Sequence, residues 1–214
     1  MASSSLHTLS AKDAIELDKD LMSTGGFSLD QLMELAGVHA TGGDGLVAAR
    51  HLWHFGYKPT VYFPKKGKNE IFERLSTQLH NLGVPFTDDY ETALKETDHV
   101  VDAIFGFSFT GAVRPPFDSV ITALKSSNLT ITAVDAPSSW DIETGPPSSG
   151  PGEGFMPTAL VSLTAPKPLA KYFTGRHFLG GRFLPPNLEE KYGLQLREVY
   201  SGMDQIVELP SSKT

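Results

Sequence analysis

Apolar residues recur along this chain with two different periods, and their alternation predicts the architecture. Ala14, Ile15, Leu17 and Leu21 share one helical face behind Ser10-Ala11-Lys12-Asp13, a capping-box sequence. Gly25-Gly26 ends that helix, and Ser28-Leu29-Asp30-Gln31 opens a second one through Leu32, Met33 and Leu35, stopping near Gly37. Leu46 to Leu52, behind Gly42-Gly43-Asp44-Gly45, predicts a helix closed by Gly56. Thr60 to Phe63 reads as a strand after Pro59, and Asn69 caps a helix with the stripe Ile71, Phe72, Leu75, Leu79 and Leu82. A short strand at Val84-Pro85-Phe86 and a brief helix over 91–96 follow, and Phe117, Val120, Ile121 and Leu124 mark a further helix.

Two runs rich in Val, Ile and Thr each end on an aspartate. Val100-Val101-Asp102-Ala103-Ile104-Phe105 opens into Gly106-Phe107-Ser108-Phe109-Thr110-Gly111, and Leu129 to Asp135 opens into Ala136-Pro137-Ser138-Ser139-Trp140-Asp141. Ala159 to Leu163 and His177 to Phe183 predict later strands, 145–154 a loop, and 208–214 a frayed tail. No internal repeat is evident. Strands alternating with helices give an α/β protein, a single domain over 1–207 with helices on both sides of a mostly parallel sheet. Ligands of such sheets collect at the carboxyl ends of the strands, where both aspartates fall.

Charge and composition narrow the chemistry. With 18 Lys and Arg against 25 Asp and Glu, the net charge of −7 argues against a nucleic-acid partner bound through the overall field. A local phosphate site made of backbone amides stays open. Cys is absent, which removes disulfides, thiolate nucleophiles and thiolate metal sites. No apolar run approaches a membrane span, and Met1 to Ser10 carry neither Arg nor an apolar core, so the expectation is a soluble cytoplasmic protein.

Each candidate residue has a plain reading beside the functional one. Asp102 and Asp135 either cap nearby loop amides or form part of a site, and two such strand ends in one sheet favour the site. Gly42-Gly43-Asp44-Gly45 resembles a ligand-cradling turn at a helix start, although such a turn belongs after a buried strand and none precedes it here. Asp141 reads as a turn cap, Trp140 and the loop aromatics as packing, and Lys167 as a solvated side chain. Tyr62 and Lys66 have the spacing of a short-chain dehydrogenase pair, but Pro64 and a strand context make that match spurious. The seven His are scattered, with no zinc or iron signature.

Taken together, these motifs resemble the NAD(P)H-hydrate epimerase family, of the YjeF N-terminal-domain type. The likeness rests on Gly42 to Leu52, Val101 to Gly111 and Val134 to Asp141, joined by Leu163-Thr164-Ala165-Pro166-Lys167 and Gly175 to Phe183, in family order. Ala136-Pro137-Ser138-Ser139 looks like the fungal form of its motif. The resemblance implies a three-layer α/β/α Rossmann-like homodimer. It also implies an isomerase that interconverts the R and S epimers of NADHX or NADPHX, the cofactors hydrated at C6 of the nicotinamide ring. A separate S-specific dehydratase would then repair both. One potassium ion per subunit is implied, with ligands at Asp102, Ser138 and Thr41. Substrate contacts are implied at Ala40, Thr41, Gly42, Gly43 and Asp44, at Gly106, Phe107, Ser108, Phe109, Thr110, Gly111 and Ala112, and at Asp135. Asp135 is the expected general acid/base. Family localisation leaves a mitochondrial pool open beside the cytoplasmic one, and no nucleic acid or membrane is expected as a partner.

One departure stands out. The family reads Gly-Pro-Gly-Asn-Asn-Gly-Gly-Asp-Gly after a buried strand and an Ala-rich helix, whereas this chain passes from Leu35-Ala36-Gly37 to Thr41-Gly42-Gly43. About one αβ unit is missing on this reading, and the strand it removes is the first central one. The sheet must then either keep a gap or re-pair its neighbours. Thr41 brings a hydroxyl where the family has an amide carbonyl. A second reading is therefore an inactive domain of this fold used for dimerisation or protein binding. A third, an ordinary nicotinamide-dependent dehydrogenase, lacks a G-x-G-x-x-G after a strand.

Overall fold

The computed structural model describes residues 7–36, 43–65, 67, 69–106 and 108–210. Its helices begin where the side chains can close them. Ser10 Oγ accepts the Asp13 N–H at 3.1 Å at the head of α1 (Ala11–Ser23). Ser28 and Gln31 bond reciprocally, backbone to side chain, at 2.8 and 3.2 Å at the head of α2 (Leu29–Ala36). Helices α3 (Gly43–His54), α4 (Glu70–Asn81), α5 (Tyr90–Lys95), α6 (Phe117–Ser126) and α7 (Pro186–Lys191) complete the set. Asn69 Oδ1 caps α4 through the Ile71 N–H at 3.1 Å, as its sequence predicts.

The strands form two separate sheets among the described residues. β1 (Val61–Tyr62) and β2 (Phe86–Thr87) make a parallel pair. β3 (His99–Asp102), β4 (Thr130–Val134), β5 (Ala159–Leu163), β6 (Arg176–Gly180) and β7 (Ile206–Leu209) make a five-stranded sheet in that order. The first four of these run parallel and β7 is antiparallel to β6. Among the described residues no strand joins the pair β1–β2 to β3. Among the described residues β3 is an edge strand, and Val101 on it is 37% exposed. In an unbroken parallel sheet a strand in that position is covered on both sides.

Two expectations need correcting here. The segment 208–214 is not wholly a tail, because Glu208 and Leu209 belong to β7 and Leu209 is buried. The strand expected over His177 to Phe183 starts one residue earlier and stops at Gly180, where Gly181 takes φ +90°. α7 lies in a stretch for which the pattern predicts no element.

Each sheet has its own packing. Leu17 and Leu21 of α1 join Ala133, Leu160 and Leu179 of the large sheet in one core, together with Trp140, Leu169 and Phe173. Val120, Ile121 and Leu124 of α6 pack with Ile131 and Phe155. The small sheet is held by a further core of Met33, Leu46, Val47, Phe72, Leu75 and Leu79 from α2, α3 and α4 around Val61. The two parts meet through Lys65 Nζ, which donates to Pro115 O at 2.6 Å, and through the Tyr62–Tyr90 ring contact at 5.3 Å.

If β3 is an edge strand, Val101→Lys lowers stability by no more than about 1 kcal/mol, as for an exposed site. Leu160→Ala, in the centre of the large sheet, costs about 2–5 kcal/mol. Urea midpoints of the two variants check this; equal losses would place β3 inside a continuous sheet.

Candidate functional site

β3 and β4 run side by side and deliver their aspartates to the same edge. Asp102 lies opposite Ala133, two residues before Asp135. Asp102 is 1% exposed. Its Oδ2 accepts the Ser138 N–H at 2.8 Å, and its Oδ1 accepts the Ser138 hydroxyl and, at 3.4 Å, the Ile104 N–H. Ser138 Oγ in turn accepts the Phe105 N–H at 3.2 Å. One carboxylate thus ties the loop after β3 to the loop after β4. Burial pushes the Asp102 carboxyl above its ordinary range, while the bonds from Ser138 and Ile104 pull it back. Among the described residues no basic side chain pairs with Asp102, so a buried carboxylate and a hydroxyl oxygen stand together without a counter-charge. Two hard oxygens in that state suit a monovalent cation.

Asp135 is placed by strain. It takes φ +65°, and the Ala136 N–H reaches back to Val134 O at 2.8 Å across a three-residue turn. Thr164, just beyond β5, repeats this with φ +65° and an Ala165 N–H to Leu163 O bond of 2.7 Å. The sequence carries the repetition: Val134-Asp135-Ala136-Pro137 and Leu163-Thr164-Ala165-Pro166 share one frame. Positive φ is uncommon for any side-chain-bearing residue and an outlier for a β-branched one, and such strain gathers at functional sites.

The second turn brings Lys167 back over the first, which overturns the reading of Lys167 as solvated. It is 2% exposed. Its Nζ donates to Asp135 Oδ1 and to Leu163 O, the latter at 2.8 Å, and the Leu163 N–H also donates to Asp135 Oδ1 at 3.3 Å. The available signal was the isolation of the charge: between Glu153 and Lys171, Lys167 is the only charged residue. Near this pair, on β5 and β6, Ser162 Oγ and His177 Nε2 lie 2.8 Å apart, both buried. Burial, helped by the Lys167 charge, pushes His177 down to about 4, so it is neutral at pH 7.

The first turn of α3 closes the site from the small sheet. A methyl added at Gly45 would stand 3.1 Å from Ala103 Cβ, immediately after Asp102, and one added at Gly43 would strike Met33 Cε. Small residues here let the helix start approach the strand ends. Between them Asp44 carries an Oδ1 that is buried with no hydrogen-bond partner among the described residues. Burial first, then the Asp135 charge, raise the Asp44 carboxyl well above its ordinary range, against the opposing effect of Lys167.

The remaining candidates are scattered around this edge. In the loop after β3, Phe105 stacks on Phe109 at 4.4 Å, while Ser108, Thr110, Gly111 and Ala112 are exposed and Gly106 is half-buried. Ala40, Thr41, Gly42 and Phe107 lie outside the described residues, as does Lys66. Tyr62 sits in the strand β1, not on a helix. Asp141 caps its turn through Oδ1, accepting the Glu143 and Thr144 N–H groups, and Trp140 is packed with Nε1 donating to Phe155 O at 3.0 Å.

A parallel α/β sheet with aspartates at two adjacent strand ends and a helix start with glycines beside them suits a nucleotide-type ligand. Residues 9–169 match the model of the family described as YjeF-related protein N-terminus, and the chain belongs to that family. It is 61% identical over 226 aligned positions to the NAD(P)H-hydrate epimerase of Sclerotinia sclerotiorum, covering 94% of each chain. The protein of the same name from Schizosaccharomyces pombe is 45% identical, with 96% of each chain covered. Among solved structures, yeast ynu0, YNL200c superposes with a TM-score of 0.85 at 37% identity, covering 95% of this chain and 100% of the other. Ninety-four percent of 214 residues is about 201, so about 25 of the 226 positions aligned with the Sclerotinia protein have no residue in this chain.

Two expectations follow for stability. Lys167→Met strands a buried carboxylate and costs about 3–5 kcal/mol by denaturant unfolding, while Asp135→Asn with Lys167→Met loses less than the sum of the single variants. Additive losses would mean that the pair is not coupled. For His177 the folded value of about 4 lies below the unfolded 6.5, so stability falls as pH drops from 6.5 towards 4. That loss is on the order of 3 kcal/mol, and His177→Gln flattens it in Tm measured against pH. An unchanged pH dependence in the variant would contradict the assignment.

Proposed function

We propose that this chain is an isomerase that interconverts the R and S epimers of NADHX and NADPHX, supplying an S-specific dehydratase in nicotinamide nucleotide repair. The observation carrying this reading is the 61% identity, over nearly the whole chain, to a protein named NAD(P)H-hydrate epimerase. The strand-end pairs Asp102–Ser138 and Asp135–Lys167 support it from the site itself. An inactive module of the same fold has no use for a buried ion pair held in a strained turn at a ligand edge.

Inverting C6 of the hydrated ring needs no redox step. The hydroxyl proton passes to a carboxylate, the C6–O bond becomes a carbonyl, and the C6–N1 bond breaks with its electron pair left on nitrogen, which gains a proton. Closing the ring on the opposite face of the carbonyl reverses each transfer. Asp135 is the group proposed to accept the hydroxyl proton. Lys167 fixes its orientation, and the Leu163 N–H holds the same oxygen. The amides and small residues of Gly43 to Gly45 and of Gly106 to Ala112 suit a diphosphate.

Asp102 and Ser138 would hold a potassium ion, with Thr41 as a third ligand. Such an ion would supply positive charge to the edge that receives an oxygen-rich, anionic substrate. Assembly as a homodimer belongs to the same reading.

The purified chain, mixed with S-specific dehydratase, should consume R-NADHX faster than spontaneous epimerisation allows, followed by absorbance. Asp135→Asn should lower that rate about 100-fold or more. Replacing potassium by tetramethylammonium should slow the native chain and leave Asp102→Asn little affected. R-NADHX consumption at the spontaneous rate would leave the inactive module as the function.

A further inference from the structure

The proposed isomerisation needs two proton carriers of opposite character, one to take the hydroxyl proton and one to give a proton to the ring nitrogen. We propose that Asp44 is the second, the carboxylic acid that serves the ring nitrogen while Asp135 serves the hydroxyl, with Lys167 as the positioning residue that divides the two roles. This rests on the epimerase reading and deepens it.

Three observations point the same way. First, Lys167 is committed to Asp135: its Nζ donates to Asp135 Oδ1, and the two side chains are 3% and 4% exposed. A charge-assisted bond so placed fixes the orientation of that carboxyl. Second, Asp44 has a buried Oδ1 with no hydrogen-bond partner among the described residues. A buried anionic oxygen without a donor is costly, whereas a carboxylic acid tolerates the site and keeps a hydrogen to give. Third, the first turn of α3, which carries Asp44, lies against the loop after β3, since a methyl at Gly45 would already be 3.1 Å from Ala103 Cβ.

The charged groups around Asp44 come from several elements. Asp135 after β4 and Asp18 on α1 both disfavour ionisation of Asp44, and Lys167 after β5 opposes them more weakly than burial acts. His177 on β6 is neutral and adds no charge. Paired carboxyls driven apart by their surroundings are the usual means by which one site holds both an acid and a base at neutral pH.

In the reaction, Asp135 takes the hydroxyl proton as C6–N1 breaks, and Asp44 gives its proton to N1. Reclosure on the other face returns N1's proton to Asp44 and Asp135's proton to the new hydroxyl. Both side chains end as they began.

The test combines rate and direct titration on the full chain. Turnover of R-NADHX in the coupled assay should fall as pH rises through the Asp44 ionisation, and Asp44→Asn should lower kcat about 100-fold or more and abolish that alkaline fall. In parallel, carbon-13 NMR of the aspartate side-chain carboxyls, assigned by backbone correlation, should show Asp44 titrating above the other aspartates. Asp135→Asn should bring that midpoint down, and Lys167→Met should raise it. An Asp44 signal in the ordinary carboxylate range, or an Asp44→Asn chain with turnover within about threefold of native and the same pH profile, overturns the proposal. If the native chain gives no rate above the spontaneous one, the epimerase reading fails and the acid role fails with it. The NMR midpoints then still report whether Asp44 is held neutral.

Discussion

The structure turns on a buried charge that had to be paired. Asp135 stands at the end of a central strand in a backbone conformation that side-chain-bearing residues seldom adopt, and Lys167 reaches it from the matching turn one strand away. Neither side chain meets solvent to any extent, so each is tolerable only through the other. The geometry of the pair fixes the turns after β4 and β5, and those turns fix where Pro137, Ser138 and Pro166 go. Ser138 then closes on Asp102, drawing the loop after β3 into the same edge. A chain of local constraints, each with an identifiable donor and acceptor, thus assembles a site from three separate strand ends.

The divided sheet is the second organising fact. Among the described residues β1 does not pair with β3. Instead the small sheet keeps its own core around Val61, Leu75 and Leu79, and β3 becomes an edge. The candidate site depends on β3, β4 and β5, which pair in register. Its wall on the α3 side retains Gly43 to Gly45, although the sequence before them departs from the family pattern.

Much of this was legible in the sequence, for definite reasons. Capping at Ser10, Ser28 and Asn69 is local chemistry, and the helices start where those side chains allow. The strand-end aspartates were visible because each follows a β-branched run and precedes small residues. Lys167 was misread because a single lysine gives no periodic signal, and its burial is set by a turn that repeats the frame around Asp135. β7 was missed because Ile206-Val207-Glu208-Leu209 is too short to show alternation, and only its pairing with β6 makes it a strand. The approach of Gly45 to Ala103 joins positions far apart in the chain, a fact no local pattern carries.

The central claim is that NADHX sits at the carboxyl edge of β3, β4 and β5. Amide hydrogen exchange of the chain with and without NADHX, read residue by residue, tests it most directly. The account predicts slower exchange at Ile104, Phe105, Ser138 and Leu163 on adding NADHX, with little change in β7 or α7. Protection confined instead to the cleft between Arg182, Arg197 and Tyr200, with the strand-end amides unmoved, would contradict it.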